Sequence, residues 1–201
     1  FFGAAATVRI YKRYGGNAVE LAKKNPYRLC EEIEGIGFER ADRMARDLGL
    51  ATDSEDRICS GICYLLSSNA QANGHVCLPR DKTVQGAARL LGVDETAVND
   101  ALELLLAREQ VHAERLGGIE LLYDKKQYEN EKYIATKLLL LDRVCPAMET
   151  ANIGAFIDRE QAETGVRYAD LQRRAISDAL ENGVMLLTGG PGTGKTTVVR
   201  A

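Results

Sequence analysis

Residues 189–196 read Gly-Gly-Pro-Gly-Thr-Gly-Lys-Thr and fit the pattern G-x-x-x-x-G-K-S/T, a loop built to hold phosphate. Gly189, Gly190, Gly192 and Gly194 let the backbone turn tightly and aim N–H groups at phosphate oxygens. Pro191, Thr193 and Thr197 complete the cradle and its exit. Lys195 adds a point charge for the outer phosphates and is the candidate catalytic residue. Thr196 offers a hydroxyl to Mg²⁺. The apolar run Val184, Met185, Leu186, Leu187 predicts a buried parallel strand before the loop, and Thr197 to Arg200 opens a helix after it.

Composition narrows the class. The chain has 201 residues, enough for one or two domains, with 45% hydrophobic and 27% charged residues. No apolar run reaches the length of a membrane span, so no membrane partner is expected. A first residue other than Met reads as an excised piece, with no secretory leader. Five scattered cysteines suit reduced thiols in a cytoplasm. Cys59 and Cys63 lie one helical turn apart with His75 and Cys77 near them, but this is not a zinc-ligand spacing, and the reading is buried thiols. His75 and His112 have no companion nucleophile or base and read as structural. Charge is uneven: net +2 over residues 1–50, −5 over 51–123 and 0 over 124–201. A surface that tracks phosphates therefore belongs in the first segment rather than the second.

The first segment has the pattern of a helix-hairpin-helix. A short helix from Pro26 to about Glu32 leads to the turn Gly35-Ile36-Gly37, and a second helix runs to about Leu48. Gly35 and Gly37 permit a tight turn that presents N–H groups to a nucleic-acid phosphate without reading bases. Ile36 plugs the gap between the helices, Ala41 lets them approach and Met44 faces the same core. Arg40 and Arg43 reach towards neighbouring phosphates. Upstream, Ala6, Val8, Ile10 and Tyr11 predict a helix closed by Gly15-Gly16, then a further helix from Asn17 through Ala22.

Residues 54–69 predict a helix with Ile58, Ile62, Leu65 and Leu66 on one face. A strand over residues 75–78, a helix over 81–91 and a helix over 95–108 capped by Asp94 follow. Strands over 111–116 and 119–123 flank Gly117-Gly118 as a hairpin. This order is that of a winged-helix module, and its acidic balance favours a protein-contact or spacer role. Helices are predicted over residues 123–144, with a break at Cys145-Pro146, over 151–165 and over 168–180. The fold class expected is mainly α. Residues 1–50 form the helix-hairpin-helix region, 51–123 the winged-helix-like module and 124–165 a helical linker. Residues 166–201 form the incomplete start of a RecA-like phosphate-loop ATPase domain.

Several stretches together resemble the N-terminal part of RecD-like DNA helicases. They are Ile10-Tyr11-Lys12-Arg13-Tyr14-Gly15, Asn25-Pro26-Tyr27-Arg28-Leu29 and Gly35-Ile36-Gly37-Phe38 with Ala41-Asp42, then Gly74-His75-Val76 with Leu78-Pro79, and Leu187 to Thr197. The resemblance implies a superfamily 1 motor of recombination and repair, similar to an exodeoxyribonuclease V alpha chain. Such a motor uses ATP and Mg²⁺ to move 5′ to 3′ on single-stranded or forked DNA and unwind duplex. It also implies that Gln172, upstream of the loop, contacts adenine, although Leu171 stands where the family carries an acidic residue. A small kinase is disfavoured by the helical modules before the loop; a DNA- or partner-binding module without motor activity is the alternative.

Two expectations follow from the carboxylates and arginines that phosphoryl transfer needs and that do not follow the loop here. Residues after about Gly183 are expected to be disordered, refolded or paired with a second copy, because a lone apolar strand invites pairing. ATP hydrolysis by these 201 residues is expected to be negligible. DNA-stimulated phosphate release in a malachite-green assay would refute this.

Overall fold

The computed structural model describes residues 2–145 and 152–201. Its mainly α chain forms two compact units, residues 1–130 and 131–201.

The first unit opens with α1 (Ala4–Tyr14), a single 3-10 turn (Gly15–Asn17) and α2 (Ala18–Lys24). Ala6 and Ile10 of α1 are buried one turn apart, whereas Val8 and Tyr11 are exposed. At 100° per residue these two fall away from the Ala6–Ile10 stripe. The hairpin follows as α3 (Tyr27–Glu32) and α4 (Phe38–Asp47). These helices have two apolar sides. Leu29, Ile33, Ile36 and Met44 close a small core with Ala6, Ile10, Ala18 and Ala22. Tyr27, Phe38, Ala41 and Ala45 join the larger core of the helices that follow, so packing runs without a break across residue 50.

That larger core is built on α5 (Glu55–Asn73), which buries Ile58, Cys59, Ile62 and Leu66. Gly61 sits where a Cβ would lie 2.6 Å from Leu91, so only glycine lets α5 meet the end of α6 (Arg80–Leu91) this closely. β1 (Cys77–Pro79) precedes α6, and α7 (Glu95–Ala107), β2 (Val111–Leu116) and β3 (Ile119–Asp124) complete the module. The strands are antiparallel in the order β1-β3-β2, with Leu116 opposite Ile119 and Leu78 opposite Leu122. Gly117 and Gly118 turn the hairpin with φ of +59° and +83°, the pair of positive values that a two-residue I′ turn requires. Strand β1 includes Pro79, where the sequence pattern placed its end. An edge strand tolerates proline because one side of its backbone has no ladder to serve. Helix α7 exposes Glu95, Asp100 and Glu103, the last of them paired with Arg80.

A buried ion pair joins the hairpin to α5. Arg57 Nε donates to Asp42 Oδ1 at 2.6 Å, and the Tyr27 hydroxyl donates to the same oxygen at 2.9 Å. Arg46 Nη2 donates to Asp42 Oδ2 at 2.6 Å. Arg57 Nη1 also donates to the carbonyls of Thr52 (2.5 Å) and Leu91 (2.9 Å), tying α5 to the loop before it and to the end of α6. Burial alone would raise the Asp42 pKa; the bonds from Arg57, Tyr27 and Arg46 outweigh it and hold the carboxyl below its ordinary value.

α8 (Lys125–Val144) begins in the first unit and continues into the second, and it buries no side chain among its described residues. The second unit adds α9 (Ile153–Thr164), α10 (Asp170–Glu181) and α11 (Lys195–Arg200) around Ile153, Ile157, Tyr168, Ile176 and Val198. The expected helix break at Pro146 and the start at Ala151 lie outside the described residues. The expected buried strand over residues 184–187 is not formed. Leu186 is 87% exposed, and only Leu187 packs on the core. A parallel strand needs neighbours to satisfy its N–H and C=O groups, and among the described residues no strand flanks this segment. The loop that follows leads into α11.

Replacing Arg57 by Ala removes the buried cationic partner of Asp42 and leaves the Thr52 and Leu91 carbonyls without their donor, and it should cost about 3–5 kcal/mol in urea unfolding; a change within about 0.5 kcal/mol would show that the pair is inert. Because Asp42 is depressed in the folded state, its contribution is complete above the unfolded value near 4 and is lost as pH falls through the folded value. Wild type should therefore lose stability below about pH 4, and Asp42→Asn should flatten that loss.

Candidate functional site

The loop at residues 189–194 closes on its own lysine. Lys195 is the first residue of α11, and Gly194 precedes it in the left-handed region with φ +79°. Gly192 has φ +76°, so both positions need glycine. Lys195 Nζ donates to the carbonyls of Gly189 (2.6 Å) and Gly190 (2.7 Å), and it lies 3.4 Å from Thr193 Oγ1. Thr193 Oγ1 in turn donates to the Gly190 carbonyl at 2.9 Å. The ammonium thus occupies the centre of the cradle, held by neutral carbonyl oxygens. Phosphate oxygens are stronger acceptors for a cation than these carbonyls, so the donor set fits a polyphosphate. Thr196 is exposed and Thr197 half-buried on the first turn of α11, with Pro191 exposed at the tip of the loop.

Gln172 comes to the same place from 21 residues earlier. Its Nε2 donates to the Thr193 carbonyl at 3.2 Å. A side chain on Gly194 would collide with that amide nitrogen. The structure therefore brings together Gln172, Gly189, Gly190, Thr193, Gly194 and Lys195.

The hairpin residues form a separate surface. Gly35 has φ +83°, which requires glycine, and Gly37 caps α4 with extended backbone. The Gly37 carbonyl accepts the N–H groups of Arg40 (3.1 Å) and Ala41 (3.3 Å), the first bonds of α4. Ile36 is buried and is therefore a plug, not a contact. Arg40 and Arg43 are exposed. Arg9, which the sequence reading passed over, belongs to this surface. Its Nη2 lies 2.9 Å from where a Gly35 Cβ would be. It flanks the Ala6–Ile10 stripe, and that position is the signal that would have found it.

The histidines and cysteines carry no site. His112 stacks on Tyr128 with ring centroids 3.6 Å apart. Among the described residues no group of His, Cys, Asp and Glu is arranged to hold a metal. Burial pushes the Cys59 thiol up to about 11 and those of Cys30 and Cys63 up to about 12, so all three stay protonated and unreactive. No described helix is long and apolar enough to cross a membrane.

Comparison with known proteins separates the same two regions. Residues 2–77 match the family model "ATP-dependent RecD2 DNA helicase HHH domain", and residues 172–201 match an AAA domain model. The chain is 28% identical over 206 residues to an ATP-dependent RecD2 DNA helicase of Deinococcus radiodurans, covering 96% of this chain and 28% of that protein. It is 34% identical over 186 residues to the RecBCD enzyme subunit RecD of Mycobacterium tuberculosis, covering 83% of this chain and 30% of that subunit. The chain thus spans less than a third of the length of these curated relatives. With a match to a helix-hairpin-helix model at one end and to an AAA domain model at the other, the chain is similar to RecD-like DNA helicases that carry an N-terminal helix-hairpin-helix region.

Proposed function

We propose that this chain supplies the DNA-facing hairpin and the nucleotide-binding loop of an ATP-driven helicase that moves 5′ to 3′ on single-stranded or forked DNA during recombination and repair. The observation that carries this reading is the convergence of Gln172 and Lys195 on one phosphate-type loop in a chain that also holds a solvent-facing hairpin with cationic flanks. Residues 1–50 would serve as the DNA platform, 51–123 as the winged module, 124–165 as the helical link and 166–201 as the start of the motor. The compartment would be the cytoplasm, in keeping with five free thiols.

In the nucleotide site Lys195 would exchange the carbonyls of Gly189 and Gly190 for the outer phosphates of ATP. Thr196 would offer its hydroxyl to Mg²⁺, which neutralises charge between the phosphates when bound. Backbone amides of the loop would orient the chain of phosphates, and Gln172 would select the base. Hydrolysis also needs a carboxylate that positions water and an arginine for the developing charge, roles that no residue of the loop fills. The 201 residues alone would therefore bind but not turn over. The exposed leucines Leu138 to Leu141 of α8 and the unladdered segment 184–187 favour self-association of this piece.

A binding module without a motor is the second reading, favoured by the open acidic face of α7 as a protein contact. Nucleotide binding separates the two. Lys195→Ala should weaken MgATP binding by about 10- to 100-fold in calorimetry, the worth of a charge-assisted contact; an unchanged affinity favours the module. On the DNA side, Arg40→Glu should weaken forked-DNA binding in fluorescence anisotropy and lower the salt slope by about 1. Full binding by Gly35→Glu with Arg40→Glu would remove the hairpin from the DNA contact.

A further inference from the structure

Gln172 is engaged at both ends of its amide. It is the third residue of α10, and its Oε1 accepts the Ala169 N–H at 3.0 Å, closing the first turn of the helix. Its Nε2 donates to the Thr193 carbonyl at 3.2 Å. Thr193 is itself tied to Gly190 through its hydroxyl, and Lys195 binds Gly189 and Gly190. One unbroken set of hydrogen bonds therefore runs from the start of α10, through Gln172, to the lysine at the centre of the loop.

We infer that Gln172 is a latch as well as a reader: it holds the phosphate loop closed on Lys195, so that ligands without adenine bind against it. This inference rests on the nucleotide reading given above. Adenine presents an amino donor at N6 beside an acceptor at N7, and a glutamine amide pairs with both through its oxygen and its nitrogen. Those are the two atoms that Ala169 and Thr193 engage, and turning the plane of the amide onto the base draws it off Thr193. Seating the base thus takes the amide away from Thr193 and frees the loop in the same step. An adenine nucleotide replaces the two lost bonds with two new ones. A bare polyphosphate must break the hold on Thr193 and receives nothing for it. Gln172 is in this sense a positioning residue for the loop, and base selectivity arises partly from a penalty on the wrong ligand.

The two roles separate in the response to a ligand that has phosphates and no base. Binding of magnesium tripolyphosphate and of MgATP to the 201-residue chain would be measured by calorimetry for wild type, Gln172→Met and Gln172→Ala. Methionine keeps the length of the side chain and its helix propensity, so it remains informative where alanine loosens α10. With the latch removed, tripolyphosphate should bind roughly 3- to 10-fold more tightly, the worth of one neutral hydrogen bond. ATP should bind no better than to wild type, so the preference for ATP over tripolyphosphate shrinks from both sides. Tripolyphosphate affinity unchanged or reduced in both variants, with ATP weakened, would overturn the latch and leave Gln172 as a base contact only. Affinity for both ligands left unchanged by Lys195→Ala would overturn the nucleotide reading and the latch with it.

Discussion

The Asp42–Arg57 pair is the constraint around which the first unit is arranged. Asp42 belongs to the second helix of the hairpin and Arg57 to the first turn of α5. A carboxylate and a guanidinium taken out of water are costly unless every polar atom finds a partner. Here Tyr27, Arg46, Thr52 and Leu91 provide those partners, and no buried side-chain nitrogen or oxygen among the described residues is left without one. The same residues that neutralise the pair also fix where the hairpin stands against α5 and α6. Phe38, Ala41 and Ala45 then fill the apolar surface around it. The hairpin is a facet of the larger core, not a bead on a string.

This arrangement explains why part of the fold was legible in the sequence and part was not. Turns depend on local backbone energetics, so Gly35, Gly74, Gly92 and the Gly117–Gly118 pair announced themselves. The order of helices and strands followed from periodicity, and the sheet closed in the order that the hairpin dictates. Partnerships between distant segments carry no such local mark. Arg57 reads as a surface residue in the first turn of a helix; only the approach of α4 and α6 buries it. The two-sided use of α3 and α4 was equally hidden, because a helix pattern marks apolar positions without saying which neighbour takes each. Val184 to Leu187 failed in the opposite way: the residues suit a strand, but a strand is a property of a pair.

The loop shows the same division. Its glycines and Lys195 were visible as a motif, since their chemistry lies in eight consecutive residues. The lysine's grip on Gly189 and Gly190, and the reach of Gln172 to Thr193, are tertiary facts. Arg9 beside Gly35 is another: its place next to the Ala6–Ile10 stripe marks its side of α1, but only folding sets it against the hairpin. In each case the sequence named the chemical parts, and folding decided which of them meet.

Helix α7 has a further consequence. Glu95, Asp100 and Glu103 are exposed on one helix, the last of them paired with Arg80. Carboxylates set against a polyanion are repelled, so this face is ill suited to lie along nucleic acid. The hairpin exposes backbone turns and arginines, groups whose chemistry suits a phosphate and not a base edge. On these two elements the unit is illiterate by construction.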